Sequence, residues 1–248
     1  MSRRILIALV TVLIIAVAVL SVLHPRAERK YVVDEFGERH EVIEGVLLSY
    51  VLIKYEPSRY AWSEDSWRGY IRGKYAAWDK WRKLVDKYGD ERYPAYVMPC
   101  RLLTFEEFLQ LVEKHKLHKS VVTIYTDVYL ANGTWFGHGR AGVSDSVEKT
   151  LEYIRDRAEF VVKDFYRRLY GLNISSDEIV VYVEAFLVNA TLRELDALRK
   201  SEDILMVDLP LDLIWRYRER GKIVEVRRLT FGTRFLTRED SCWIKKAG

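Results

Sequence analysis

"YVMPCRLLTFEEFLQLVEKHKLHKSVVTIY" (Tyr96–Tyr125) and "VVYVEAFLVNATLRELDALRKSEDILMVDL" (Val180–Leu209) follow one plan. Each is an apolar strand, a threonine, a short amphipathic helix and a second apolar strand. Thr104, Glu107, Phe108 and Leu111 match Thr191, Glu194, Leu195 and Leu198. Both Thr-x-x-Glu sets read as capping boxes, with the Thr oxygen on the N3 amide and the Glu reaching back to the cap amide. Helices are therefore expected to start at 105 and 192. Two β-α-β units predict an α+β, ferredoxin-like domain with its helices on one face. The likeness between the units is local, so it argues shared architecture rather than duplication.

Between the units, Val147, Leu151, Ile154, Ala158, Val161, Phe165 and Leu169 recur every three or four residues. This spacing predicts a long helix that packs across the sheet, ended by Gly171 as a left-handed cap. Upstream, residues 41–56 hold "VLLSYVLIKY" and read as a strand. Residues 63–88 read as a helix with an aromatic face of Trp67, Tyr75, Trp78, Trp81 and Tyr88. Such a stripe is more often core than a sugar- or lipid-binding surface. Downstream of Pro210, a hairpin turning near Gly221 is expected, then a tail. Arg216–Lys246 carries ten Lys/Arg against four Asp/Glu, so the basic character of this +4 chain is concentrated there.

The N-terminus bears on placement. Ile5 to Leu23 is a 19-residue run, polar only at Thr11 and Ser21. As a helix it would be about 30 Å long, the thickness of a hydrocarbon core. It exceeds the usual apolar core of a signal peptide and no good cleavage site follows, so an uncleaved anchor is the expectation. The organisation expected is a cytoplasmic tail 1–4, an anchor 5–23 contacting membrane lipid, a stalk 24–40, an α+β domain 41–210 and a basic hairpin and tail 211–248. Basic residues flank the run on both sides, so the positive-inside rule does not orient it.

Other residues do. The chain has three Asn, and Asn132, Asn173 and Asn189 each sit in an N-x-S/T acceptor for N-glycosylation. Its two cysteines, Cys100 and Cys242, are far apart and suit one disulfide in an exported chain, with two unrelated buried thiols the alternative. A single Gln beside abundant Arg, Lys and Glu is a thermophile trend and points to a thermophilic archaeon. The expectation is a single-pass, membrane-anchored extracellular binding, sensory or structural module, with a cell-surface protein or glycan as partner. Nucleic acid enters only if the topology is reversed.

The chemistry is harder to read. "NGTWFGHGRAG" (Asn132–Gly142) contains G-x-G-x-x-G at 137–142. A dinucleotide loop needs a helix opening at the glycines and an acidic residue at the end of the next strand, about 20 positions on. Here that distance falls inside the long helix. A hairpin that needs glycines for backbone geometry is the simpler account, and no cofactor is expected. Gly137, His138, Gly139 and Arg140 are the candidate ligand loop, because a histidine between glycines is accessible and Arg140 can hold an anion. The competing reading is a tethered hydrolase acting near Gly137–Gly142, which requires convergent polar side chains there. His115 and His118 lack a third metal ligand in sequence. HExxH, G-x-S-x-G, a Walker loop and a Cys/His cluster are all missing, and no catalytic residue is identified.

Overall fold

A computed structural model describes residues 28–34, 39–45, 50–55 and 64–228. The strands are β1 (Glu28–Val33), β2 (Arg39–Glu44), β3 (Tyr50–Tyr55), β4 (Arg92–Pro99), β5 (Val121–Leu130), β6 (Trp135–Gly142), β7 (Ile179–Thr191), β8 (Ile204–Asp208) and β9 (Ile223–Arg228). The helices are α1 (Glu64–Lys80), α2 (Arg82–Tyr88), α3 (Phe105–Lys114), α4 (Val147–Tyr170), α5 (Leu192–Arg199) and α6 (Leu211–Arg218).

These elements build two sheets, ordered β1-β2-β3-β9 and β6-β5-β7-β4-β8. The fold is therefore α+β, but it is built on two sheets and not on one ferredoxin-like sheet. Among the described residues no helix is long and apolar enough to cross a membrane, and the run 5–23 lies outside them. The four-stranded sheet is what the sequence reading lacked. The segment read as stalk supplies β1 and the start of β2, and the single strand expected over 41–56 falls into β2 and β3.

The basic hairpin expected after Pro210 is a helix and one strand. Leu211, Ile214 and Tyr217 are buried at helical spacing, which closes α6 onto the core. Gly221, at φ 71°, turns the chain into β9. β9 then runs parallel to β3, with Val51 opposite Val224 and Ile53 opposite Val226. All four side chains are buried, so burial of one shared face sets this long-range register.

The five-stranded sheet holds both β-α-β units, β4-α3-β5 and β7-α5-β8, interleaved so that β4 lies between β7 and β8. Its strand pairs are antiparallel. Both capping boxes form: Thr104 Oγ1 accepts from the Glu107 amide and Thr191 Oγ1 from the Glu194 amide, each at 3.2 Å. Arg101 adds a bidentate pair to Glu107, and this pair holds that carboxyl down at about 2. Helix α4 is capped at its start by Ser146, whose hydroxyl oxygen accepts from the Lys149 amide, and at its end by Gly171 with φ 65°.

One face of this sheet carries α3, α4 and α5 through Phe108, Leu111, Leu151, Ile154, Leu195 and Leu198. That core continues through α6 to Val42, Ile53 and Val226 of the smaller sheet. The opposite face carries α1, whose Tyr70 and Ile71 pack with Tyr96, Met98 and Met206. The aromatic helix expected over 63–88 breaks at Trp81 into α1 and α2. Trp78 is core, and its indole donates to the Val207 carbonyl at 2.9 Å. Trp62 and the Trp67 side chain fall outside the described residues.

Candidate functional site

The candidate loop Gly137–Arg140 is not a loop. It is the middle of β6, an edge strand paired with β5. The turn lies before it, where Asn132 Oδ1 accepts from the Thr134 amide at 2.9 Å and Gly133 adopts φ 89°. No helix opens at the glycines, since α4 begins five residues later, at Val147. A phosphate loop is thereby excluded on geometry.

Gly139 has a packing role. Strand alternation puts Gly137 and Gly139 on the face that meets α4. A Cβ at Gly139 would come within 2.7 Å of Thr126 Oγ1, and Thr126 is fully buried. The same side-chain-free face leaves a groove of about 300 Å³ between β6 and α4, walled by Phe136, Ala158 and Val161.

His138 and Arg140 take the other face, opposite Asp127 and Tyr125 in register. There three neighbouring strands each contribute one group: His138 from β6, Asp127 from β5 and Glu184 from β7. His138 Nδ1 is 2.5 Å from Asp127 Oδ1 and 3.7 Å from Glu184 Oε2. One ligand atom from each of the three lies within 4.8 Å of the other two. Glu184 reaches this point because β7 bulges there. Tyr125 pairs with Ala185 and Thr126 with Val183, leaving Glu184 as the extra residue. A second irregularity, where Val128 opposes Gly137 and Tyr129 opposes Trp135, leaves Phe136 over. It brings Trp135 onto the same face as His138, ring centroids 4.9 Å apart. The Trp135 indole donates to Asp127 Oδ1 at 3.2 Å.

The cluster is largely buried rather than solvated. The Asp127 and Glu184 side chains are 7% and 5% exposed, while His138 is 38% exposed and opens the cluster to solvent. Burial raises the Asp127 carboxyl above its ordinary value, against the opposing pull of the Trp135 hydrogen bond and His138. Two nearly buried carboxylates thus converge on one imidazole.

The two histidines at the end of α3 do not share a ligand site. His115 pairs with Ser201 Oγ at 3.1 Å, with its imidazole held low mainly by burial. His118 instead faces Glu113 at 2.7 Å and Glu148 at 3.5 Å. Asn132, Asn173 and Asn189 are all exposed. Cys100 is buried, with Sγ 3.0 Å from the Glu202 carbonyl oxygen, and Cys242 lies outside the described residues.

Sequence reasoning found His138 and missed Asp127 and Glu184. Each is the lone acid inside an apolar run, "TIYTDVYL" and "VVYVEAFL". A carboxylate in a half-buried strand is costly without a partner, and that cost was the available signal. No protein-family model, curated protein or solved structure matches the chain.

Proposed function

We propose that the protein is a divalent-cation-dependent binding module displayed at the cell surface, with Asp127, His138 and Glu184 as the cation's ligands. The observation that carries the reading is the convergence of one imidazole and two carboxylates, from three adjacent strands, within 4.8 Å. A mixed nitrogen and oxygen set suits Zn²⁺ or Mn²⁺. Three protein ligands leave coordination positions open towards solvent, on the side where His138 is exposed. Trp135 orients Asp127 as an outer partner does in metal sites.

Calorimetric titration of the purified protein with Zn²⁺ and Mn²⁺ tests it. One site is expected, with affinity at least 100-fold weaker in Glu184→Gln. That substitution keeps the shape and the His138–Asp127 pair while removing one anionic ligand. A protein that takes up neither ion, or a Glu184→Gln variant that binds as wild type does, would show the cluster to be a structural ion pair only.

Placement outside the cell is supported by the sequons, whose three Asn side chains are all exposed, and by the length and apolarity of residues 5–23. A protease that cannot cross the membrane should remove the folded domain from intact cells. Survival of the domain until lysis would refute that placement.

A further inference from the structure

We infer that the cation site belongs to a longer recognition row along β6, and that its ligand is a short acidic oligosaccharide carrying uronate groups. The inference rests on the cation reading and adds the ligand class.

Three features lie in line on one face of β6. Trp135 is at one end, 47% exposed. His138 and the cation ligands come next. Arg140, exposed, stands at the other end, opposite Tyr125. No ion pair to Arg140 forms among the described residues, although the strand beside it is rich in polar groups. At about 3.4 Å per residue, the bulged stretch from Trp135 to Arg140 covers roughly 14 Å, the length of two to three pyranose rings.

The chemistry of each position is distinct. The Trp135 ring is held by its hydrogen bond to Asp127 and its edge contact with His138, so its free face is presented rigidly. A fixed, half-exposed indole is suited to the apolar face of a sugar ring. The open coordination positions favour a hard anionic oxygen, which a uronate carboxylate supplies. Arg140 can then take a second carboxylate one ring further on, in bidentate fashion. A neutral sugar would meet only the first of these groups. A phosphate or a free carboxylic acid would meet the second and third but leave Trp135 unused.

The test is titration of the Mn²⁺-loaded protein with trigalacturonate and with neutral maltotriose, after the Mn²⁺ affinity of each variant has been measured alone. Trigalacturonate should bind at least 10-fold tighter than maltotriose. Binding should vanish when the cation is chelated, and should weaken about 10-fold in Arg140→Ala and in Trp135→Ala. Thermal melts of both variants establish that they are folded before either is scored. If Mn²⁺ binds and trigalacturonate binds no better than maltotriose, the ligand assignment is wrong and the cation site stands. If trigalacturonate binds equally after chelation, the row does not act through the cation and the inference fails. If no cation binds, both readings fall together.

Discussion

Replacing Lys74 with alanine is expected to cost the fold about 3–5 kcal/mol, the typical result of removing one partner from a buried ion pair. Lys74 projects from α1 onto β8, and its Nζ lies 3.1 Å from Asp208 Oδ1, with the two side chains 2% and 0% exposed. Tyr70, one turn earlier, donates to Asp208 Oδ2 at 3.2 Å, and the Lys74 ammonium sits 4.9 Å from the Tyr70 ring. The pair thus ties the helix on the site-bearing face to the last strand of the five-stranded sheet. Truncating Lys74 leaves the Asp208 carboxylate in a low-dielectric interior without its cation. Denaturant unfolding should show a reduced midpoint at unchanged slope. The double variant Lys74→Met/Asp208→Leu should recover most of the loss, since an apolar pair of similar volume avoids both desolvation penalties. A Lys74→Ala protein within 1 kcal/mol of wild type would mean that the pair is hydrated or replaced by other contacts.

What the sequence disclosed divides by range of interaction. Thr104 with Glu107 and Thr191 with Glu194 could be read directly, because a capping box closes within four residues and its donors and acceptors are all in view. Helix α4 and its Gly171 cap were legible for the same reason. Strand partnership was not. β3 and β9 are separated by most of the chain, and Val224 and Val226 disclose a buried face but not whose face they meet. The segment Leu211–Arg218 reads as a strand in sequence because short apolar runs carry both periodicities, and tertiary burial of Leu211, Ile214 and Tyr217 decides for the helix. The candidate site shows the same division. His138 stood out through its glycine neighbours, whereas Asp127 joins it by strand register and Glu184 by a bulge, and neither relation is written locally. Even the glycines pointed to function for the wrong reason: Gly139 clears space against Thr126, while the neighbouring histidine faces the opposite side.

Cation binding should raise the melting temperature, and the size of that rise should depend on pH in a definite direction. A ligand held only by the folded state stabilises it by about 2.7 kcal/mol at 100 times its dissociation constant. For a domain of this size that corresponds to roughly 5–10 °C. The three ligands must all be deprotonated to bind, so protons compete with the cation. Burial has already raised the Asp127 carboxyl, so without cation this group favours the folded state in its protonated form. That contribution is fully present below the ordinary carboxylate value and is lost as pH rises through the raised, folded-state value. The cation acts in the opposite sense, because it binds the ionised form and offsets the cost of burying it. The cation-induced shift should therefore be largest near pH 7.5 and should shrink as pH falls towards 5, beginning above the range in which an ordinary carboxylate titrates. Scanning calorimetry with and without Zn²⁺ across that range measures it directly. Glu184→Gln should remove most of the shift at every pH, since the remaining His138–Asp127 pair offers one anionic oxygen donor fewer. A shift that is flat with pH, or that survives Glu184→Gln, would place the bound ion elsewhere, because only ligands that titrate and converge as these do couple cation uptake to the Asp127 proton.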